Sequence, residues 1–144
     1  MRNSVIKQEL EPTGTAGDAV SLLIAEDNKI VRDLLGAIIQ RKFPEITIYS
    51  AENGRRGFEI FQEHTPSIVI TDINMPEMDG IQMAGDIRSI SAATKIIVIS
   101  AYDESDQCEK FGEIGIEGCF PKPITFPNLF AAIEKCLSEV APAR

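Results

Sequence analysis

The chain has 144 residues, of which 44% are hydrophobic and 25% are charged, and these proportions predict one globular domain with a sizeable core. Its net charge of −8 argues against a nucleic-acid-binding surface, which would need clustered lysine and arginine. No apolar stretch approaches the roughly 20 residues of a membrane span, and no signal-peptide core precedes the domain, so we expect a cytoplasmic protein.

Residues 1–18 show no sustained hydrophobic period and contain Pro12, Gly14 and Gly17, which predicts a flexible leader or a linker remnant. We expect the folded domain at residues 19–141, with a short tail at 142–144.

Short apolar runs alternate with helical repeats through this domain. Each run has the length and the β-branched composition of a buried strand, and each repeat places apolar residues three or four positions apart. The predicted strands are Val20–Ala25, Ile46–Ser50, Ser67–Thr71, Lys95–Ser100 and Gly118–Pro121, and the predicted helices follow them around residues 30–43, 57–64, 81–87, 108–114 and 129–140. Five such units predict an α/β fold with a parallel sheet and helices on both faces.

Polar side chains follow the strands at the points where the strands end. Glu26 and Asp27 follow the first strand, Asp72 the third, and Ser100 ends the fourth. In open α/β sheets this carboxyl edge is where ligands bind. Local roles are also possible: Asp27 or Asn28 could cap the first helix, and Asp72 could accept hydrogen bonds in a turn.

Three carboxylates at one edge would repel one another unless a cation neutralised them. Hard oxygen ligands suit Mg²⁺, which binds one or two carboxylates together with phosphate oxygens. Lys122 would add a positive charge, and Ser100 a hydroxyl donor, for an anion beside the metal. The set therefore indicates a phosphoryl site.

The chain resembles the response-regulator receiver domains of two-component signalling, of the chemotaxis-regulator type. The resemblance runs from Ser21 to about Val140 and depends on four segments in order: Leu23–Asn28, Val69–Gly80, Ile97–Ala101 and Phe120–Pro123. It implies a flavodoxin-like, doubly wound, five-stranded sheet in the order 2-1-3-4-5 with five helices.

The resemblance also implies a role for each residue at the edge. Asp72 would be the phosphoacceptor, Asp27 a direct Mg²⁺ ligand, Glu26 the holder of metal-bound water, and the backbone carbonyl of Asn74 a further ligand. Ser100 would be the hydroxyl that moves toward the phosphoryl group, and Lys122 the cation that precedes a cis peptide at Pro123.

Cys119 departs from the family pattern, because the family usually has an aromatic switch residue at that position. Phe120 is adjacent, but strand alternation would point it to the opposite face. Since Cys108, Cys119 and Cys136 are odd in number and lack metal-ligand spacing, we expect reduced thiols. Cys119 is then a small buried apolar residue, with a redox role as the alternative.

The function implied is that of a phosphoacceptor module. It would take a phosphoryl group from a sensor histidine kinase or a phosphotransfer protein. It would respond on its output face, which consists of the predicted fourth helix (108–114), the fifth strand (Gly118–Pro121) and the fifth helix (129–140). It would not be an enzyme in the ordinary sense, although it could catalyse its own phosphorylation and dephosphorylation. One alternative is a scaffold that acts without phosphorylation. Another is a phosphatase of the haloacid dehalogenase type, which Asn74 disfavours because that class needs an acid there.

Overall fold

The computed structural model describes residues 20–101 and 108–140. The predicted leader at 1–18 and tail at 142–144 lie outside the described residues. Strands and helices alternate as the sequence predicts. The strands are β1 (Ser21–Ala25), β2 (Thr47–Ala51), β3 (Ile68–Asp72), β4 (Lys95–Ser100) and β5 (Gly118–Pro121), and the α-helices are α1 (Lys29–Lys42), α2 (Gly54–His64), α3 (Gly80–Ile90) and α4 (Phe126–Glu139). None of the described helices is both long enough and apolar enough to cross a membrane.

All five strands are parallel, and their order in the sheet is β2-β1-β3-β4-β5. This order confirms the predicted doubly wound, flavodoxin-like fold. It places β1 beside β3, and β3 beside β4, so the strands that precede the polar residues are neighbours.

Helices cover both faces of the sheet, and each face has its own apolar cluster. Phe61 of α2 and Met83 of α3 pack on one face, whereas Ile39 of α1 and Ile133 of α4 pack on the other. Because β3 lies between the two layers, all five of its residues are buried. Burial on both faces explains why the strands are continuous apolar runs without polar alternation.

Asn28 caps helix α1, because its Oδ1 accepts a hydrogen bond from the N–H of Val31 over 3.0 Å. Of the two candidate caps in the sequence, the structure therefore uses Asn28. The side chain of Asp27 lies at the carboxyl edge of the sheet, close to the carboxylates of Glu26 and Asp72.

The fourth predicted helix differs from the sequence-based expectation within the described residues. There, the segment has a short 3₁₀ helix at Glu109–Phe111 in place of an α-helix that continues to residue 114. Gly112 follows this turn, and Gly115 adopts a φ of 87°, in the left-handed region that glycine tolerates without steric cost. The described part of the chain thus holds four α-helices and one 3₁₀ helix, and residues 102–107 lie outside it.

Candidate functional site

The carboxyl ends of β1, β3, β4 and β5 bring the predicted site residues to one edge of the sheet. Ala25 pairs with Thr71, so Glu26 and Asp72 follow neighbouring positions of β1 and β3. Lys122 is held beside β4, because its backbone N–H donates to the carbonyl of Ser100 over 2.7 Å. Parallel pairing therefore juxtaposes side chains that are far apart in sequence.

The three carboxylates converge as the sequence predicts. One oxygen each from Glu26, Asp27 and Asp72 lies within 4.8 Å of the others. Glu26 and Asp72 are only 4% and 6% exposed, whereas Asp27 is exposed. Such a set of hard oxygen donors, closed on one side and open to solvent on the other, fits Mg²⁺, which retains part of its hydration shell.

Lys122 contributes the positive charge of the site. Its Nζ lies 3.0 Å from Oδ2 of Asp72 and 3.5 Å from Oε1 of Glu26. Burial lowers the pKa of Lys122, but the hydrogen bond to Asp72 and the two carboxylate charges outweigh it, so the pKa lies above its ordinary value. The ammonium group stays charged and partly offsets two of the three acids.

Glu26 is held in place by its own chain. Its Oε2 accepts the backbone N–H of Asn28 over 3.0 Å, and its carbonyl accepts a hydrogen bond from the guanidinium of Arg32 over 2.8 Å. Burial is the largest effect on Glu26 and raises its pKa above the usual value, and the nearby charge of Asp72 raises it further. The sequence did not predict this hydrogen bond from Arg32, because the residue occupies an ordinary polar position of α1.

Asp72 is the last residue of β3, and its backbone is fixed from several sides. Its carbonyl accepts the hydroxyl of Thr71 over 2.7 Å, and the N–H of Gly80 at the start of α3 donates to the carbonyl of Ile73 over 2.7 Å. Its Oδ1 also accepts the N–H of Ile73 over 2.8 Å, so the turn role considered from the sequence is present as well. A fixed carboxylate of this kind is suited to act as a positioned nucleophile.

The remaining predicted site residues lie around this edge. Asn74 is exposed in the loop between β3 and α3, two residues after Asp72. Ser100 ends β4 and is 4% exposed. The peptide bond between Lys122 and Pro123 is cis.

The prediction of reduced thiols is wrong for two of the three cysteines. Cys108 and Cys119 form a disulfide with a Cα–Cα distance of 6.2 Å, and Cys136 is free and buried. Sequence spacing could not reveal the pair, because only the path of the chain through the 3₁₀ turn brings Cys108 back to β5. Cys119 packs with the cluster on the α2–α3 face and Phe120 with the opposite cluster, which confirms the predicted alternation.

Comparison with known proteins identifies the family. The profile described as "Response regulator receiver domain" matches residues 22–134. The chain is 32% identical to the chemotaxis protein CheY of Halobacterium salinarum over 120 residues, which cover 83% of this chain and 98% of that protein. It is 34% identical over 129 residues to the transcriptional regulatory protein PdtaR of Mycobacterium tuberculosis, covering 88% of this chain and 62% of PdtaR.

A solved structure gives the same result. The N-terminal domain of an uncharacterized protein from Wolinella succinogenes is 37% identical and superposes with a TM-score of 0.75, covering 82% of this chain and 94% of that one. Fold, edge geometry and sequence similarity agree, and we conclude that the chain belongs to the response-regulator receiver domain family.

Proposed function

We propose that this chain is a phosphoacceptor module of a two-component system and that Asp72 receives the phosphoryl group. The donor is a sensor histidine kinase or a phosphotransfer protein. The observation that carries the proposal is the contact of Asp72 with Lys122 inside a cluster of three carboxylates at the carboxyl edge of the sheet.

An oxygen of Asp72 attacks the phosphorus atom of the donor, and the leaving group departs on the opposite side. The fixed backbone around Asp72 supplies positioning, which is most of what phosphoryl transfer requires. Glu26, Asp27, Asp72 and the carbonyl of Asn74 would hold Mg²⁺, which neutralises charge on the phosphoryl oxygens when bound. Asn74 enters this set through the family resemblance.

Two further groups act on the transferred phosphoryl group. The ammonium of Lys122 already lies at Asp72 and offers a charge-assisted hydrogen bond to a phosphoryl oxygen. The hydroxyl of Ser100, at the end of the neighbouring strand, donates to the same group when it moves toward Asp72. The module promotes its own phosphorylation and dephosphorylation and turns over no separate substrate.

The signal leaves through the output face. Ser100 ends β4 beside β5, and Cys108 lies 3.7 Å from its hydroxyl, so movement of Ser100 reaches the 3₁₀ turn that contains Phe111. The domain limits of 19–141 and the cytoplasmic location stay predictions.

The decisive experiment compares Asp72→Asn with wild type in the presence of Mg²⁺ and acetyl phosphate. Intact-mass analysis should show one acid-labile phosphoryl group on wild type and none on the variant. Asp33→Asn is the matched control, because Asp33 is an exposed aspartate of α1 whose carboxylate pairs with Lys29 over 2.7 Å. It should be labelled like wild type.

Equal labelling of Asp72→Asn and wild type would overturn the assignment of Asp72. No labelling of wild type, with Mg²⁺ present and the fold intact by circular dichroism, would favour the scaffold alternative.

A further inference from the structure

Cys108 and Cys119, here called the cysteine pair, lie where the output face meets the phosphorylation site. One sulfur, Sγ of Cys108, is 3.7 Å from Oγ of Ser100. The other residue, Cys119, is in β5 opposite Val98 of β4. The pair therefore connects the start of the 3₁₀ turn to the sheet directly beside the residue proposed to move.

We infer that the cysteine pair is a reversible thiol–disulfide modification site that controls whether the output face responds to phosphorylation. The inference rests on the proposed function, because it needs a phosphoryl signal to control. In the disulfide form the segment from 108 to 119 is tied to β5, and in the dithiol form it is released.

The geometry of the pair permits the bond. The Cα atoms are 6.2 Å apart, within the usual range for disulfides, so the backbone of both segments accommodates the bond. Both residues are partly exposed, which gives a small thiol or disulfide access to them. Disulfides that form in reducing compartments are mostly transient and redox-sensing, in keeping with the cytoplasmic location that the sequence predicts.

The third cysteine does not compete for this chemistry. Cys136 is completely buried on the opposite face of the sheet, and burial raises its pKa to about 11. Because thiolate is the reactive form, Cys136 is inert near neutral pH. Exchange is thus directed to the cysteine pair.

The reaction is thiol–disulfide exchange with a low-molecular-weight disulfide such as oxidised glutathione. One protein thiolate attacks a sulfur of the small disulfide, which forms a mixed disulfide and releases one small thiolate. The second protein thiolate then attacks the protein sulfur of that mixed bond and releases the second small thiolate. Two electrons pass from the protein dithiol to the small disulfide, two protons are released in total, and reduced small thiols reverse the reaction.

The disulfide restrains the segment beside Ser100. It joins residues 11 positions apart and so closes a loop that contains the fully buried Phe111. The contacts of Lys122 with Asp72 and with Glu26 involve neither sulfur, so phosphorylation itself should proceed in both forms.

The first part of the test is chemical and is independent of phosphorylation. Wild type is equilibrated in glutathione buffers of graded ratio, alkylated, and analysed by mass. We expect Cys108 and Cys119 to lose alkylation together as the buffer becomes oxidising, while Cys136 does not change. Continued alkylation of Cys108 and Cys119 in oxidised glutathione would overturn the inference.

The second part measures amide hydrogen exchange on reduced and oxidised wild type, with and without Mg²⁺ and beryllofluoride as the phosphoryl mimic. Reduced protein should show a several-fold change in exchange over residues 109–120, and oxidised protein little change there. Both forms should respond equally in the peptide that contains Asp72. An equal response of residues 109–120 in both forms would refute redox control and leave the proposed function intact.

Variants complete the design. Cys108→Ser should respond to beryllofluoride under oxidising conditions as reduced wild type does, and Cys136→Val, which keeps the pair, should behave like wild type. If the peptide that contains Asp72 responds to beryllofluoride in neither redox form of wild type, the proposed function is overturned. The redox control would then be overturned with it, even if the disulfide forms.

Discussion

The ammonium group of Lys122 donates a hydrogen bond to Oδ2 of Asp72 over 3.0 Å, although 50 positions separate the two residues. The same ammonium group lies 3.5 Å from Glu26, so one cation serves two nearly buried acids. The site is therefore partly neutralised by the protein itself, and only part of its negative charge is left for a metal ion to offset.

Replacing Lys122 by alanine should destabilise the metal-free protein, because Glu26 and Asp72 then repel each other without a cation between them. The side chain of Lys122 is 33% exposed, and solvent screening limits the expected loss to about 1 kcal/mol. Thermal melting with and without MgCl₂ measures the effect, and Mg²⁺ should restore more stability to Lys122→Ala than to wild type. Lys122→Arg keeps the charge and is the control. A melting temperature of metal-free Lys122→Ala equal to that of wild type would contradict the charge argument.

Asp27→Asn should weaken Mg²⁺ binding while it slightly stabilises the metal-free protein. A unit charge about 4 Å from a divalent ion contributes about 2 kcal/mol even in water, equivalent to about 30-fold in Kd. Removal of the exposed carboxylate also relieves repulsion with Glu26 and Asp72, by about 1 kcal/mol or less. Since the chain has no tryptophan, calorimetric titration is the suitable measurement. Unchanged affinity, with Asp33→Asn as reference, would mean that Asp27 is not a ligand.

Gly80→Ala should displace the backbone that positions Asp72. A Cβ at position 80 would overlap the carbonyl oxygen of Asp72 and lie 3.0 Å from Oγ1 of Thr71, so the start of α3 or the end of β3 must shift. We expect a loss of about 1–3 kcal/mol, the usual cost of overpacking, and slower phosphorylation of Asp72.

Gly36→Ala is the matched control for this change. The nearest atoms to a Cβ at position 36 are 3.9 and 4.0 Å away, which is ordinary contact, and the residue lies inside α1. Alanine should stabilise the helix there by about 0.5–1 kcal/mol. Urea unfolding measures the free energy of unfolding of both variants. Equal stability of Gly80→Ala and Gly36→Ala would show that the close approach of Gly80 to Asp72 is unimportant.

The buried thiol of Cys136 predicts a loss of stability in alkali. Burial raises its pKa from 9.0 to about 11, so the neutral thiol favours the folded state fully below pH 9. This contribution is lost as the pH rises through 11, because the unfolded chain releases the proton first. At pH 10.5 wild type should have lost about 2 kcal/mol more than Cys136→Val, relative to pH 8. Urea unfolding in the presence of a reductant measures the difference, and parallel pH profiles would contradict it.

The sequence alone determined the sheet and most of its edge. Continuous apolar runs such as Leu22–Ile24 are buried on both faces, and this burial fixes a parallel sheet with its polar residues at the strand ends. Glu26, Asp27 and Asp72 were therefore predictable as a cluster, because parallel strands bring their carboxyl ends to one side.

Tertiary structure alone decided how the edge is neutralised and how the output segment is held. The hydrogen bond of Arg32 to the carbonyl of Glu26 and the bond between Cys108 and Cys119 depend on the path of the chain in space. Hydrophobic periodicity specifies which face of an element is buried, but it carries no information about the distance between two polar side chains on different elements. A sulfur pair or a guanidinium contact is fixed only when the packed core sets those distances.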